Sequence, residues 1–147
     1  MGHVKGEIVI ERPVEDVFDF VADERNTPLF NPTVVLVEQT TPGPIGEGTE
    51  FRVESASGSR TAEMVITLTK YERPRMLQSH TPMATMDFLG TLTFESVPEG
   101  TLMHWRWEIR PHGFYRFLGL LIRRAVRGQE QAVWSSVKEY LETDHDD

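Results

Sequence analysis

The chain has 147 residues, no cysteine, and 23 acidic against 15 basic side chains, a formal net charge of -8. That length fits one domain able to bury a sizeable core, the lack of cysteine excludes disulfides, thiolate metal sites and a cysteine nucleophile, and the charge opposes phosphate polymers, so nucleic acid is not expected as a partner. The first residues, MGHVKGEIVIERP, interleave charges with apolar groups and carry no signal-peptide core, and no stretch approaches the ~20 apolar residues of a bilayer span. The expectation is a soluble, cytoplasmic protein without stable membrane insertion.

His3 to Glu11 alternates Gly6, Ile8 and Ile10 against Glu7, Val9 and Glu11, the period of a strand. Pro13 suits the first turn of a helix, Glu15 and Asp16 follow where the helix dipole favours acids, and Val14, Val17, Phe18 and Val21 fall on one helical face. Asp23 to Pro32 holds two prolines and reads as a turn with at most one more helical turn, carrying Leu29 and Phe30 inward. From Thr33 the period is two. Strands are expected over Val34–Glu38, Thr49–Ser55, a segment setting Ala62, Met64, Ile66 and Leu68 against polar neighbours, Met76–Thr81, Thr85–Val97 and Leu102–Arg110. The last alternates Met103, Trp105, Trp107 and Ile109 with His104, Arg106, Glu108 and Arg110.

The stretch Gly113 to Glu142 reads as one long helix. Its apolar side is expected to hold Phe114, Leu118, Leu121, Ala125, Ala132 and Val133, with Ile122, Val126 and Val137 at the margin. Arg116, Arg123, Arg124 and Arg127 lie opposite, and Leu120 and Trp134 project on that arginine side as a surface for self-association, a homodimer included. Glu130, Glu139 and Glu142 dilute the basic face, which weakens the case for an anionic membrane. Gly128, Gln129 and Ser136 interrupt the apolar arc; either the glycines, with Gly119, permit close approach to a strand, or helix and sheet stand apart around a cavity. Helices at the two ends and consecutive hairpins between them give an α+β class with an antiparallel sheet. Residues 143–147 read as a flexible acidic tail.

Motifs for chemistry are sparse. Gly43 to Gly48 lies between two strands and opens no helix that would receive an anion. The five histidines show no metal-ligand spacing, so no metal and no cofactor is expected, although His80 and His104 are candidates to meet across neighbouring strands. No nucleophile elbow is present. Glu54, Asp87 and Glu108 are the strand carboxylates to consider for acid–base work, and all three fall on the outward register.

From Ile10-Glu11-Arg12-Pro13-Val14-Glu15-Asp16-Val17-Phe18, through Asp23 and Phe30-Asn31-Pro32, to Pro42, Gly46, Gly48 and Thr49, the chain resembles the START/polyketide cyclase-like (SRPBCC) superfamily. Arg12 stands where that family usually has alanine and Phe30 where it usually has tryptophan. The resemblance implies a helix-grip fold: a curved antiparallel sheet of about seven strands around a long C-terminal helix, with one or two short helices after the first strand. It implies a deep cavity for a lipid, polyketide or aromatic molecule, lined by Phe51, Met64, Phe88, Trp105, Trp107, Gln129 and Ser136, with Leu29 and Phe30 near the mouth. Gln129 and Ser136 are the expected polar anchors. A carrier or sensor is the leading expectation; a cyclase or dehydratase using a cavity acid or base, and a protein-interaction module, are the alternatives.

Overall fold

The structure, a computed structural model, describes residues 2–143, with the side chains of Ser57, Phe114 and Tyr115 set aside. The tail expected at 143–147 therefore lies outside the described residues except for Thr143, as does the side chain of Phe114 in the expected stripe.

The elements run β1 (Gly2–Ile10), α1 (Val14–Ala22), a 3₁₀ turn (Glu24–Leu29), β2 (Val34–Gln39), β3 (Glu50–Ser57), β4 (Arg60–Glu72), β5 (Met76–Pro82), β6 (Met86–Val97), β7 (Gly100–Pro111), a second 3₁₀ turn (Gly113–Leu118) and α2 (Gly119–Glu142). The seven strands form one antiparallel sheet in the order β1-β7-β6-β5-β4-β3-β2. Each hairpin pairs neighbours in sequence, and β1 closes against β7 at the far end. The helix-grip architecture is thus present, with α2 lying beside β1.

Alternation dictates the inner face. Val4 and Ile10 of β1 and Met103, Trp105 and Ile109 of β7 are buried, while Lys5, Glu7, His104 and Arg106 between them are exposed. Helix α1 inserts Phe18, whose ring meets Tyr71 and Phe94 edge-on at 5.2 Å from each. Asp19 on its outer side pairs with Arg73 at 2.7 and 2.8 Å, holding the helix to the β4–β5 turn.

Two tryptophans of β7 lie across glycines on the strands beside them. Trp105 is directly opposite Gly6, and Trp107 directly opposite Gly90. A Cβ at position 6 would sit 2.7 Å from Trp105 Cε2, and one at position 90 would sit 2.8 Å from Trp107 Cε3, both inside contact distance. The indoles can lie flat on the sheet only because these neighbours have no side chain.

The core is split. One cluster gathers Ile10, Phe18, Leu77, Phe94, Met103, Trp105, Trp134 and Val137. A second gathers Val34, Phe51, Val53 and Leu68 at the β2–β4 end, and among the described residues only Tyr71 packs against both. Close packing would join them; a gap keeps them apart.

The face that α2 turns inward differs from the expected one. Trp134, expected beside the arginines, is 7% exposed and its ring centroid lies 6.0 Å from that of Trp105, whereas Leu120 and Leu121 are 65% and 63% exposed. Ala125 and Ala132 are exposed as well. The inward face carries Val126, Glu130, Val133, Trp134, Val137 and Leu141. Leu121, Ala125 and Ala132 all lie within the regular α2, so the expected stripe is the wrong face of that helix: the sheet covers instead the face with Val126, Val133, Trp134 and Val137, whose larger side chains remove more apolar area from water than the two alanines would. Trp134 is therefore removed from any self-association surface. Gly119 and Gly128 touch no strand, since a Cβ at either would meet nothing within 4 Å. At its end, α2 is tied to β1: Lys138 Nζ donates to the Val9 carbonyl at 2.8 Å and to Glu142 Oε2 at 2.6 Å, and the same oxygen accepts from the Glu11 backbone N–H at 2.8 Å.

Candidate functional site

A cavity of about 360 Å³ fills the gap between the two halves of the core. The sheet supplies one wall, including Met64, Ile66, Phe88, Leu92 and Trp107; α2 supplies Val126, Gln129, Glu130, Val133 and Trp134; and the end of α1 with the following turn supplies Phe20, Val21, Glu24, Thr27 and Phe30. Strand residues at every second position and helix residues at i, i+4, i+7 and i+8 bring these groups to one space. The volume falls in the range of small-molecule sites, and the mix of apolar wall with few polar groups is typical of them.

The structure distributes the nine expected pocket residues over three environments. Phe30, Met64, Phe88, Trp107 and Gln129 line the cavity, with Phe88 edge-on to Trp107 at 6.2 Å and Gln129 remaining exposed. Phe51 and Trp105 do not: both point inward, but Phe51 is fully buried in the second core cluster and Trp105 is covered by Trp134 and the strand at Gly6. Leu29 and Ser136 lie elsewhere again, on a second depression with Glu139, Tyr140 and Thr143. Leu29 is 54% exposed, and Ser136 Oγ donates back to the Ala132 carbonyl at 3.0 Å, so the expected anchor caps its own helix turn instead.

Two polar residues of the cavity besides Gln129 were not expected there from the sequence. Glu24 opens the first 3₁₀ turn and Glu130 lies one helical turn before Trp134; both are half-buried and line the cavity. Burial pushes the Glu130 carboxyl up to about 7, and the charge of Glu24 adds to the effect. Glu24 is likewise raised, by burial first and by the charge of Asp23, while one hydrogen bond from Thr27 Oγ1 at 2.9 Å works the other way. Asp23 behaves differently. Burial favours its neutral form, but Arg25 supplies a bidentate pair at 2.8 Å and a backbone N–H at 3.0 Å, which together hold it below the usual carboxylate range. Glu130, expected on the basic face, thus faces the cavity, as its i−4 spacing from Trp134 requires. The indole N–H groups of Trp107 and Trp134, both on the wall, are buried without an acceptor among the described residues.

The strand carboxylates lie away from this site. Asp87 meets His112 at 3.2 Å and His80 at 3.6 Å, Glu54 and Glu108 pair with Arg52 and Arg110, and His104 reaches Glu7 rather than His80. Their register points them out of the sheet. Among the described residues no group of three or more His, Asp or Glu is placed to hold a metal ion, and no helix is long and apolar enough to cross a membrane.

The family described as "Polyketide cyclase / dehydrase and lipid transport" matches residues 1–142. Among solved structures, the chain is similar to Ara h 8.0201 at 15% identity and a TM-score of 0.81, over 97% of this chain and 99% of that one. It is similar to a START superfamily protein from Mycobacterium smegmatis at 10% identity and a TM-score of 0.80, over 95% and 97%. The di-domain ARO/CYC BexL is similar at 18% identity and a TM-score of 0.79, over 97% of this chain and 50% of its own length. No curated protein sequence matches the chain.

Proposed function

Because the chain belongs to the polyketide cyclase / dehydrase and lipid transport family, we propose that it binds one hydrophobic small molecule in the cavity between sheet and α2, as a carrier or sensor. The observation that carries this reading is the split core: a protein stabilised by packing alone would not leave about 360 Å³ between its two clusters. Each 100 Å² of apolar ligand surface removed from water there contributes about 2.5 kcal/mol before the cost of association. Native mass spectrometry of protein from its own host should find a co-purified apolar molecule. Val126→Trp, which places an indole into the cavity from α2, should lose it while still unfolding cooperatively. Retention of the molecule by that variant sinks the reading.

A second reading, acid–base catalysis in the same cavity, is supported by the carboxyl pair. A carboxyl held at about 7 is matched to proton transfer near neutral pH, and the similarity to an ARO/CYC protein makes a polyketide-type substrate the one to try. Turnover that disappears in Glu130→Gln while substrate binding persists would favour it; binding without turnover in the unaltered protein would discard it.

A further inference from the structure

The cavity wall carries charge of one sign only. Its described ionisable residues are Asp23, Glu24 and Glu130, with no lysine, arginine or histidine among them. Asp23 is already matched by Arg25. Glu24 receives one hydrogen bond, from Thr27, and Glu130 has no hydrogen-bond or ion-pair partner among the described residues. Buried carboxyls ordinarily have a cation or several donors to offset their lost hydration. The polar equipment of the cavity is therefore incomplete in the protein alone.

Resting on the ligand-binding reading above, we infer that the guest carries a basic nitrogen on an otherwise apolar skeleton, its ammonium group seated at Glu24 and Glu130. An ammonium brings three donors and a positive charge, so it serves both carboxyls at once; a hydroxyl offers one donor and no charge, and a carboxylate guest is repelled. The aromatic faces of Trp107 and Trp134 on the same wall add attraction for a cation. Glu130, near 7 in the protein alone, gives up its proton more readily once the ammonium is present, so binding strengthens as pH rises. The charged groups facing it are Glu24 and, beyond that, the Asp23–Arg25 pair, whose charges cancel.

The test compares decylamine, decanol and decanoate by their effect on tryptophan emission, in the unaltered protein and in the Glu24→Gln/Glu130→Gln double variant. Decylamine is expected to bind at least about tenfold more tightly than decanol at pH 8, with decanoate weakest. Between pH 8 and pH 5 the advantage should shrink, and in the double variant the amine-to-alcohol ratio should fall to about one. Equal affinity for amine and alcohol in the unaltered protein overturns the inference and leaves the ligand-binding reading standing. A ratio that survives in the double variant also overturns it, by tracing the preference to the overall negative charge. Binding of none of the three removes both. If the double variant misfolds, the single Glu130→Gln variant carries the same comparison: an amine-to-alcohol ratio unchanged from the unaltered protein overturns the inference.

Discussion

Replacing Glu130 by glutamine should make the protein more stable, and only above mildly acidic pH. Its carboxyl is raised from an ordinary 4.5 to about 7 in the folded chain. Each tenfold change in an ionisation constant corresponds to about 1.4 kcal/mol, so the ionised form is roughly 3 kcal/mol costlier folded than unfolded. Between those two values the folded protein binds the proton and the unfolded chain does not, so stability falls as pH rises through this window and levels off above it. Below 4.5 both states are protonated and the penalty vanishes. Glutamine keeps the shape without the ionisation, so Glu130→Gln should match the unaltered protein near pH 4.5 and exceed it by up to about 3 kcal/mol at pH 8. With a urea m-value of about 2 kcal/mol/M, the midpoint should move up by about 1.5 M at pH 8. Urea titrations at pH 4.5, 6, 7 and 8 provide the check. A constant offset at every pH, or none at pH 8, would refute the claim that this carboxyl sits unpaired in the cavity.

Gly90→Ala should cost about 1–3 kcal/mol by pushing its new methyl into the Trp107 ring, read as a lower thermal midpoint. Trp134→Ala should cost about 3–5 kcal/mol and leave the mass on a sizing column unchanged, because the ring belongs to the core rather than to an outer surface. Lys138→Met removes the donor shared by the Val9 carbonyl and Glu142 and should cost about 1–2 kcal/mol, with faster amide exchange in the last turns of α2.

The sheet was legible because strand alternation is a local signal. Met103, Trp105, Trp107 and Ile109 declare their face without reference to anything else, and the strands on either side must follow in register. The helix was harder. Its residues were readable as α, but α2 offers two partly apolar faces, one through Leu121, Ala125 and Ala132 and one through Val126, Val133, Trp134 and Val137, and periodicity alone does not say which one the sheet covers. Choosing the first moved Trp134 outward and took Glu130 with it; the second places Glu130 inside. Glu24 gave no signal of its own, since it lies in a non-periodic turn and meets Glu130 only through the fold. Phe51 and Trp105 have the inward register that pocket residues need, but register says which side of a sheet a residue faces and not whether empty space or another side chain waits there.

Trp107 and Gly90 share one allotment of volume across two strands, which gives the chamber a movable back panel. An aliphatic residue at 107 together with alanine at 90 would keep the inter-strand ladder filled while drawing the wall away from α2, so the size of an acceptable guest is set by a pair of which only 107 lines the chamber. Any survey of related chains should accordingly read 90 and 107 as a single two-letter choice.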